Sequence, residues 1–231
     1  MAAPQNPLQS TGLDSRLRDA GLFIRQAIRT FRATGAVAPS SRALGHALAR
    51  YIDQREDPDA QLSIMEAGAG TGAVSRVIAQ HMRKGDTIDL VESNPEFAGR
   101  LADLLASDPE LNPIADSATV HQMLVTDLGP DRRYDVIVSG LPFANFTAEE
   151  VREILEYYFS VLRPGGHVSL FGYLYTKQVK AVVAPREDYL RQARSSWVVE
   201  EWVNRYGIGT ERVLANLPPA WIHHLRKPAE D

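Results

Sequence analysis

Glu66-Ala67-Gly68-Ala69-Gly70-Thr71-Gly72 is the stretch on which the reading of this chain turns. It stands where a short apolar run, Leu62–Ala67, passes into an amphipathic one, Ala73–Arg83. A short apolar run closed by glycines predicts a buried strand, and the amphipathic run predicts a helix. Glycines at alternate positions let the backbone come close to a ligand with no Cβ in the way. The spacing is G-x-G-x-G after an acid, not the G-x-G-x-x-G of a dinucleotide-binding turn, and there is no P-loop lysine.

Outward from this turn, strand and helix patterns alternate. Thr87–Glu92 predicts a strand and Pro95–Ala106 a helix; Ala118–Leu124 and Tyr134–Ser139 predict two more strands. Thr147–Leu162 reads as a helix opened by Thr147 with Glu150 three residues on, a capping-box pattern. His167–Tyr173 reads as a strand, and Trp197–Asn204 with Glu211–Asn216 as a final antiparallel pair. This order predicts an α/β fold, doubly wound, with a mostly parallel sheet, helices on both faces and one antiparallel strand pair at the C-terminal end. Before it, residues 1–12 are expected to be disordered. Residues 13–33 and about 41–54 are expected to be helices, the second capped by Ser40 or Ser41. An acidic linker, residues 55–61, leads into the main domain, 55–231.

The 231 residues suffice for one sizeable core. With no cysteine, disulfides, thiolate metal sites and a cysteine nucleophile are excluded, and no metal is expected. No run approaches the roughly 18 apolar residues of a membrane span, and the start lacks the apolar core of a signal peptide. A cytoplasmic chain and a monomer are the expectation. The net charge of −4 is uneven: residues 1–35 hold five arginines against two acids, so that segment is +3 and the remainder −7. On a helix over 13–33, Leu13, Leu17, Ala20, Ile24, Ala27, Ile28 and Phe31 share one face, and Arg18, Arg25, Arg29 and Arg32 lie off it. Such a helix suits the interface of an anionic membrane. An ordinary amphipathic helix packed on the domain has the same pattern, and a basic face also suits RNA phosphates.

Three features together resemble the class I methyltransferases that use S-adenosylmethionine (SAM) and release S-adenosylhomocysteine: the glycine turn after Glu66, the acid Glu92 ending the next strand, and Asp127 after the third. The resemblance spans about residues 60–175 and implies a Rossmann-like sheet. It implies that Glu66 and Gly68, Gly70, Thr71 and Gly72 hold the methionine end, Glu92 with Ser93 the ribose, and Asp127 the adenine. Ser139 and Leu141 join the cofactor-binding set. Strand four ends in Ser139-Gly140-Leu141-Pro142-Phe143, where amino-group methyltransferases carry a polar residue, a proline and an aromatic. An amine must sit about 3 Å from the sulfonium methyl, in line with the C–S bond. Aromatic faces such as Phe143 can stabilise the charge that develops on nitrogen. A proline turn with Phe143 in the core is the alternative. Tyr173 and Tyr175 are candidates for an aromatic wall or a proton relay; His167 is a further candidate base, and His46 reads as structural.

Closer resemblance lies in Phe31–Ser41, in Val138–Phe143 and in Arg212-Val213-Leu214-Ala215-Asn216-Leu217-Pro218-Pro219-Ala220. Together with the basic helix these look like the bacterial phospholipid N-methyltransferases. That resemblance implies an enzyme that binds the inner face of the membrane and methylates phosphatidylethanolamine stepwise toward phosphatidylcholine. Lys177, Lys180 and Arg186 are then candidates for the phosphodiester, with Ser139, Tyr173 and Tyr175 nearest the chemistry. The basic stretch His223–Lys227 reads as a solvated tail or an addition to surface binding. Two other readings stay open. An rRNA adenine dimethyltransferase would carry an Asn-led loop and a basic C-terminal domain, and both are missing, so no nucleic-acid partner is expected. A non-catalytic membrane-binding protein of the same fold would not need Glu66, Glu92 and the glycine turn intact.

Overall fold

The computed structural model describes residues 42–55, 57–173, 186–216 and 219–229, with the side chains of all these but 173 and 186–192. The expected start and basic helix, with Arg18, Arg25, Arg29 and Arg32, lie outside the described residues, as do Ser40, Ser41, Tyr175, Lys177 and Lys180.

Seven strands form one sheet: β1 (Ser63–Ala67), β2 (Thr87–Val91), β3 (Ala118–His121), β4 (Tyr134–Ser139), β5 (Leu162–Tyr173), β6 (Gly207–Val213) and β7 (Ala220–Arg226). Their spatial order is β3-β2-β1-β4-β5-β7-β6. The first five are parallel, and β7 runs antiparallel between β5 and β6. The order reverses at β1 and β4, which opens a crevice at their carboxyl ends where ligands of such sheets bind. The expected doubly wound α/β architecture is the one observed.

Among the described residues the α-helices are α1 (Arg42–Leu48), α2 (Arg50–Asp53), α3 (Ala73–His81), α4 (Pro95–Ser107), α5 (Ala148–Val161) and α6 (Arg186–Tyr206). On one face of the sheet Ile64, Leu90 and Val138 pack with Leu44, Leu48, Ile52, Val77 and Leu101. On the other, Met65, Ile137, Val168 and Leu170 pack with Val151, Leu155, Tyr158 and Val198. Successive strand residues thus feed opposite cores, the consequence of a period of two. The expected helix over 41–54 is two segments broken at Ala49, and the second lays Tyr51 flat on His167 at 4.1 Å.

The capping box of α5 is formed as expected: Thr147 Oγ1 accepts from Glu150 N at 3.2 Å, and Glu150 Oε2 accepts from Thr147 N at 2.7 Å. At the other end, Lys227 Nζ donates to the carbonyls of Phe159 at 2.6 Å and Leu162 at 2.8 Å. A cation there satisfies carbonyls that have no intrahelical partner.

Two expectations for the C-terminal third are corrected. Trp197–Asn204 is helix, the interior of α6, and the antiparallel pair is β6 with β7. β-branched and aromatic residues there suggest a strand. However, Val198, Val199, Trp202, Val203 and Tyr206 recur at helical spacing, and Trp202 and Tyr206 close around Phe159 at 4.7 and 4.4 Å. His223–Lys227 is not a solvated tail: it lies in and just after β7, an interior strand. His224 is buried between Ser169 Oγ at 2.9 Å and Glu211 Oε1 at 2.7 Å, and Glu211 in turn meets Arg50 at 2.5 Å. This chain of polar contacts ties α2 to the last three strands.

Arg55, in the expected acidic linker, is buried too. Its guanidinium meets Asp86 through two hydrogen bonds, 3.0 and 2.8 Å. Asp86 also accepts from the backbone N–H of Leu62 at 2.8 Å and of Arg83 at 2.7 Å, which closes the amino-terminal end of the sheet.

Candidate functional site

The glycine turn sits at the carboxyl ends of β1, β2 and β4. Gly68, Gly70 and Gly72 have φ of 76, 56 and 78°, a region in which glycine alone is unstrained. The turn is pinned by Gly68 N to the Val91 carbonyl at 2.8 Å and by Ala69 N to the same oxygen at 3.2 Å. Gly72 then caps α3, so the N–H groups of its first turn face the crevice.

Glu92 follows directly on β2. Its Oε2 accepts from Gly70 N at 2.9 Å and its Oε1 from Asn94 N at 2.7 Å. One carboxylate therefore sets the apex of the glycine turn and the start of α4. Each oxygen keeps lone-pair capacity toward the crevice, which suits the two hydroxyls of a ribose. Glu92 is only 7% exposed, and burial pushes its carboxyl up against the pull of those backbone N–H groups.

Glu66 is buried beneath the turn at 1% exposure, and Ser75 Oγ donates to it at 2.6 Å. Burial pushes its carboxyl up to about 8, with Ser75 opposing and Glu92 adding to the rise. The folded, ligand-free chain thus holds this proton at neutral pH, whereas the unfolded chain releases it near the ordinary carboxylate value. Its contribution is fully present below that ordinary value and is lost as pH rises toward 8. At about 1.4 kcal/mol per pKa unit the loss is at most on the order of 5 kcal/mol. Differential scanning calorimetry without ligand should show the melting temperature of wild type falling between pH 5 and 8, relative to Glu66→Gln. Parallel curves for the two proteins would mean that Glu66 is ionised in the fold.

Ser139 and Gly140 end β4 beside the turn. Ser139 is fully buried and its hydroxyl shares a hydrogen bond with that of Tyr158 at 3.0 Å, so the side chain faces α5. Gly140 N donates to the Ala67 carbonyl at 2.8 Å, and a Cβ on Gly140 would stand 2.8 Å from the Gly68 carbonyl oxygen. Leu141 lies against Gly68. Phe143, expected beside the substrate amine, is instead buried at 6% exposure in the core shared with α5, edge-on to Phe146.

Thr71 is exposed at the turn and Ser93 half-buried next to Glu92. Asp127 is exposed at the end of a short 3-10 turn, Val125–Asp127. Tyr173 ends β5 at the same edge, and Arg186 begins α6. His167 is placed elsewhere: it pairs with Val136, three residues short of the end of β4, and stacks on Tyr51. His46 is paired with His81 at 2.9 Å. Among the described residues no cluster of three or more His, Cys, Asp or Glu could hold a metal ion. Sequence reasoning missed Ser75, Tyr158 and the close approach of Gly140. Ser75 lies three residues after Gly72 on α3 and was open to discovery; Tyr158 has no local signal.

The methyltransferase domain family matches residues 64–166, which run from β1 into β5. Over these residues, somewhat less than half of the chain, the protein is similar to a methyltransferase domain. The fold agrees with solved structures. An O-methyltransferase of Bacillus cereus in complex with S-adenosylhomocysteine superposes with a TM-score of 0.61 at 14% identity, over 89% of this chain and 90% of that one. An O-methyltransferase of Streptomyces achromogenes in complex with SAM gives 0.59 at 14%, over 89% of each chain. The magnesium protoporphyrin IX methyltransferase of Synechocystis with bound S-adenosylhomocysteine gives 0.58 at 13%, over 80% and 83%. Among curated proteins, an ornithine lipid N-methyltransferase of Singulisphaera acidiphila is 24% identical over 212 residues, 91% of this chain and 97% of the relative. The residues present fit SAM: an open glycine turn, a buried carboxylate with spare acceptor capacity and a helix start converge on one crevice. When bound, SAM supplies an electrophilic methyl group.

Proposed function

We propose that this methyltransferase domain serves a lipid N-methyltransferase that acts on phosphatidylethanolamine at a membrane surface and carries it stepwise toward phosphatidylcholine. The observation that carries the reading is the match to the ornithine lipid N-methyltransferase, colinear over 91% of this chain and so running well beyond the cofactor domain. Both substrates are aminolipids, with a nucleophilic amine close to an anionic group and acyl chains in the bilayer. The arginine-rich face of residues 13–33 supports surface binding, at the inner face of the membrane. Among the described residues no helix is long and apolar enough to cross a membrane. Glu66, the glycine turn and Glu92 hold the cofactor, Asp127 the adenine, and the ends of β4 and β5 with Tyr173 and Tyr175 border the amine.

The test is transfer of label from methyl-labelled SAM to phosphatidylethanolamine vesicles, to ornithine-lipid vesicles and to RNA. Label in mono-, di- and trimethylated phosphatidylethanolamine is expected. Label in ornithine lipid alone would move the substrate within the aminolipids, and label in RNA alone would end the lipid reading.

A further inference from the structure

An aminolipid headgroup presents an anion as well as an amine, and the fold offers a place for it. Since β7 is antiparallel to both β5 and β6, the last two run the same way and end at the cofactor edge. One step short of that edge, Gly172, Trp221 and Arg212 are lateral neighbours across β5, β7 and β6, and so share a face of the sheet. The Arg212 guanidinium lies over the Trp221 ring at 4.4 Å. Arg212 is exposed and makes no ion pair or hydrogen bond among the described residues, whereas Arg50, Arg55, Arg76, Arg132 and Arg163 each meet a carboxylate. Among the described residues, a Cβ on Gly172 would meet nothing within 4 Å. Just beyond Val213, Leu214 is 69% exposed at the same edge.

We propose that Arg212, carried on Trp221, binds the anionic group of the substrate headgroup above Gly172. The inference rests on the aminolipid reading and deepens it. A guanidinium held flat on an indole loses little further freedom on binding, and its N–H edge stays free to grip a phosphodiester or a carboxylate through two parallel hydrogen bonds. Strands β4 and β6 are three spacings apart, about 14 Å at roughly 4.8 Å each, a span that the arginine side chain and a headgroup divide between them. An acyl chain leaving the headgroup would pass Leu214. Trp221 and Leu214 belong to the stretch Arg212–Trp221 that joins β6 to β7, so one hairpin would read both the anion and the apolar part of the lipid.

The experiment uses the full chain, with Arg212→Gln, Arg212→Lys and Trp221→Leu. Arg205→Gln is the control, since Arg205 also lies over a ring, Tyr206 at 5.1 Å, but at the opposite end of β6. In phosphatidylethanolamine mixed micelles, Arg212→Gln should raise KM for lipid about tenfold, with kcat and SAM affinity unchanged, the loss of one charge-assisted grip. Arg212→Lys should recover only part of this, Trp221→Leu should resemble Arg212→Gln, and Arg205→Gln should match wild type. Unchanged KM in Arg212→Gln, or an equal change in Arg205→Gln, overturns the proposal.

A binding measurement separates it from the aminolipid reading. Tryptophan fluorescence is titrated with glycerophosphoethanolamine, with ornithine and with ethanolamine, which has no anion. A response to the first or second that Arg212→Gln abolishes supports the site and names its anion as phosphodiester or carboxylate. A response to ethanolamine as strong as to the others, a response that survives in Arg212→Gln, or none in a wild type that methylates lipid overturns it. An Arg212-dependent response in a chain that methylates no lipid would leave the anion site standing and end the functional reading.

Discussion

Glu92→Ala should weaken SAM binding about a hundredfold while leaving the chain folded. Glu92 holds both sides of the crevice through Gly70 N and Asn94 N. The alanine variant loses that grip and the acceptor for the ribose together. Two hydrogen bonds to a charged group amount to about 3 kcal/mol, which is two orders of magnitude in affinity. Glu92→Gln should not restore it, because an amide keeps one acceptor oxygen and turns N–H donors toward an N–H that needs an acceptor. Isothermal titration of SAM and of S-adenosylhomocysteine measures the effect. A dissociation constant within about threefold of wild type would show that the ribose lies elsewhere.

Asp86→Ala should cost about 3–5 kcal/mol of stability, the range for removing one partner of a buried ion pair. Arg55 and Asp86 side chains are 3% and 0% exposed, and the truncation would leave the N–H groups of Leu62 and Arg83 without their acceptor and the buried guanidinium with only the Ile52 and Ala60 carbonyls and no counter-charge. Burial works against ionisation of Asp86, yet Arg55 and those N–H groups hold its carboxyl below the usual range. Its contribution is therefore present above the ordinary aspartate value and is lost as pH falls through the lowered one. Urea unfolding at pH 7 should show the full loss, with the gap between wild type and variant narrowing in acid. A loss below about 1 kcal/mol would place the pair among ordinary surface bridges.

These expectations differ in how far they could be read beforehand. The acid-and-glycine turn, the acid closing β2 and the capping box of Thr147 are local: each is a few adjacent residues whose types suit one backbone geometry. They were legible. Trp197–Asn204 was misread because β-branched and aromatic residues are compatible with either a strand or a buried helix face. Packing on α5 decided between them. His223–Lys227 was misread because its charge suggests solvent. Ser169, Glu211 and the carbonyls at the end of α5 supply partners that bring those residues indoors.

By itself, then, the amino-acid order determined the alternation of strand and helix, the parallel sheet it imposes and the glycine turn at its carboxyl edge, because periodicity and turn chemistry act over a few residues. Tertiary structure alone decided that Glu92 would hold Gly70, 22 residues away, that Arg55 would meet Asp86 across 31 residues, and that Arg212 would lie on Trp221. Such pairs are chosen by the register of strands and by the burial that removes water as the competing partner, and neither is written in any short stretch of the chain.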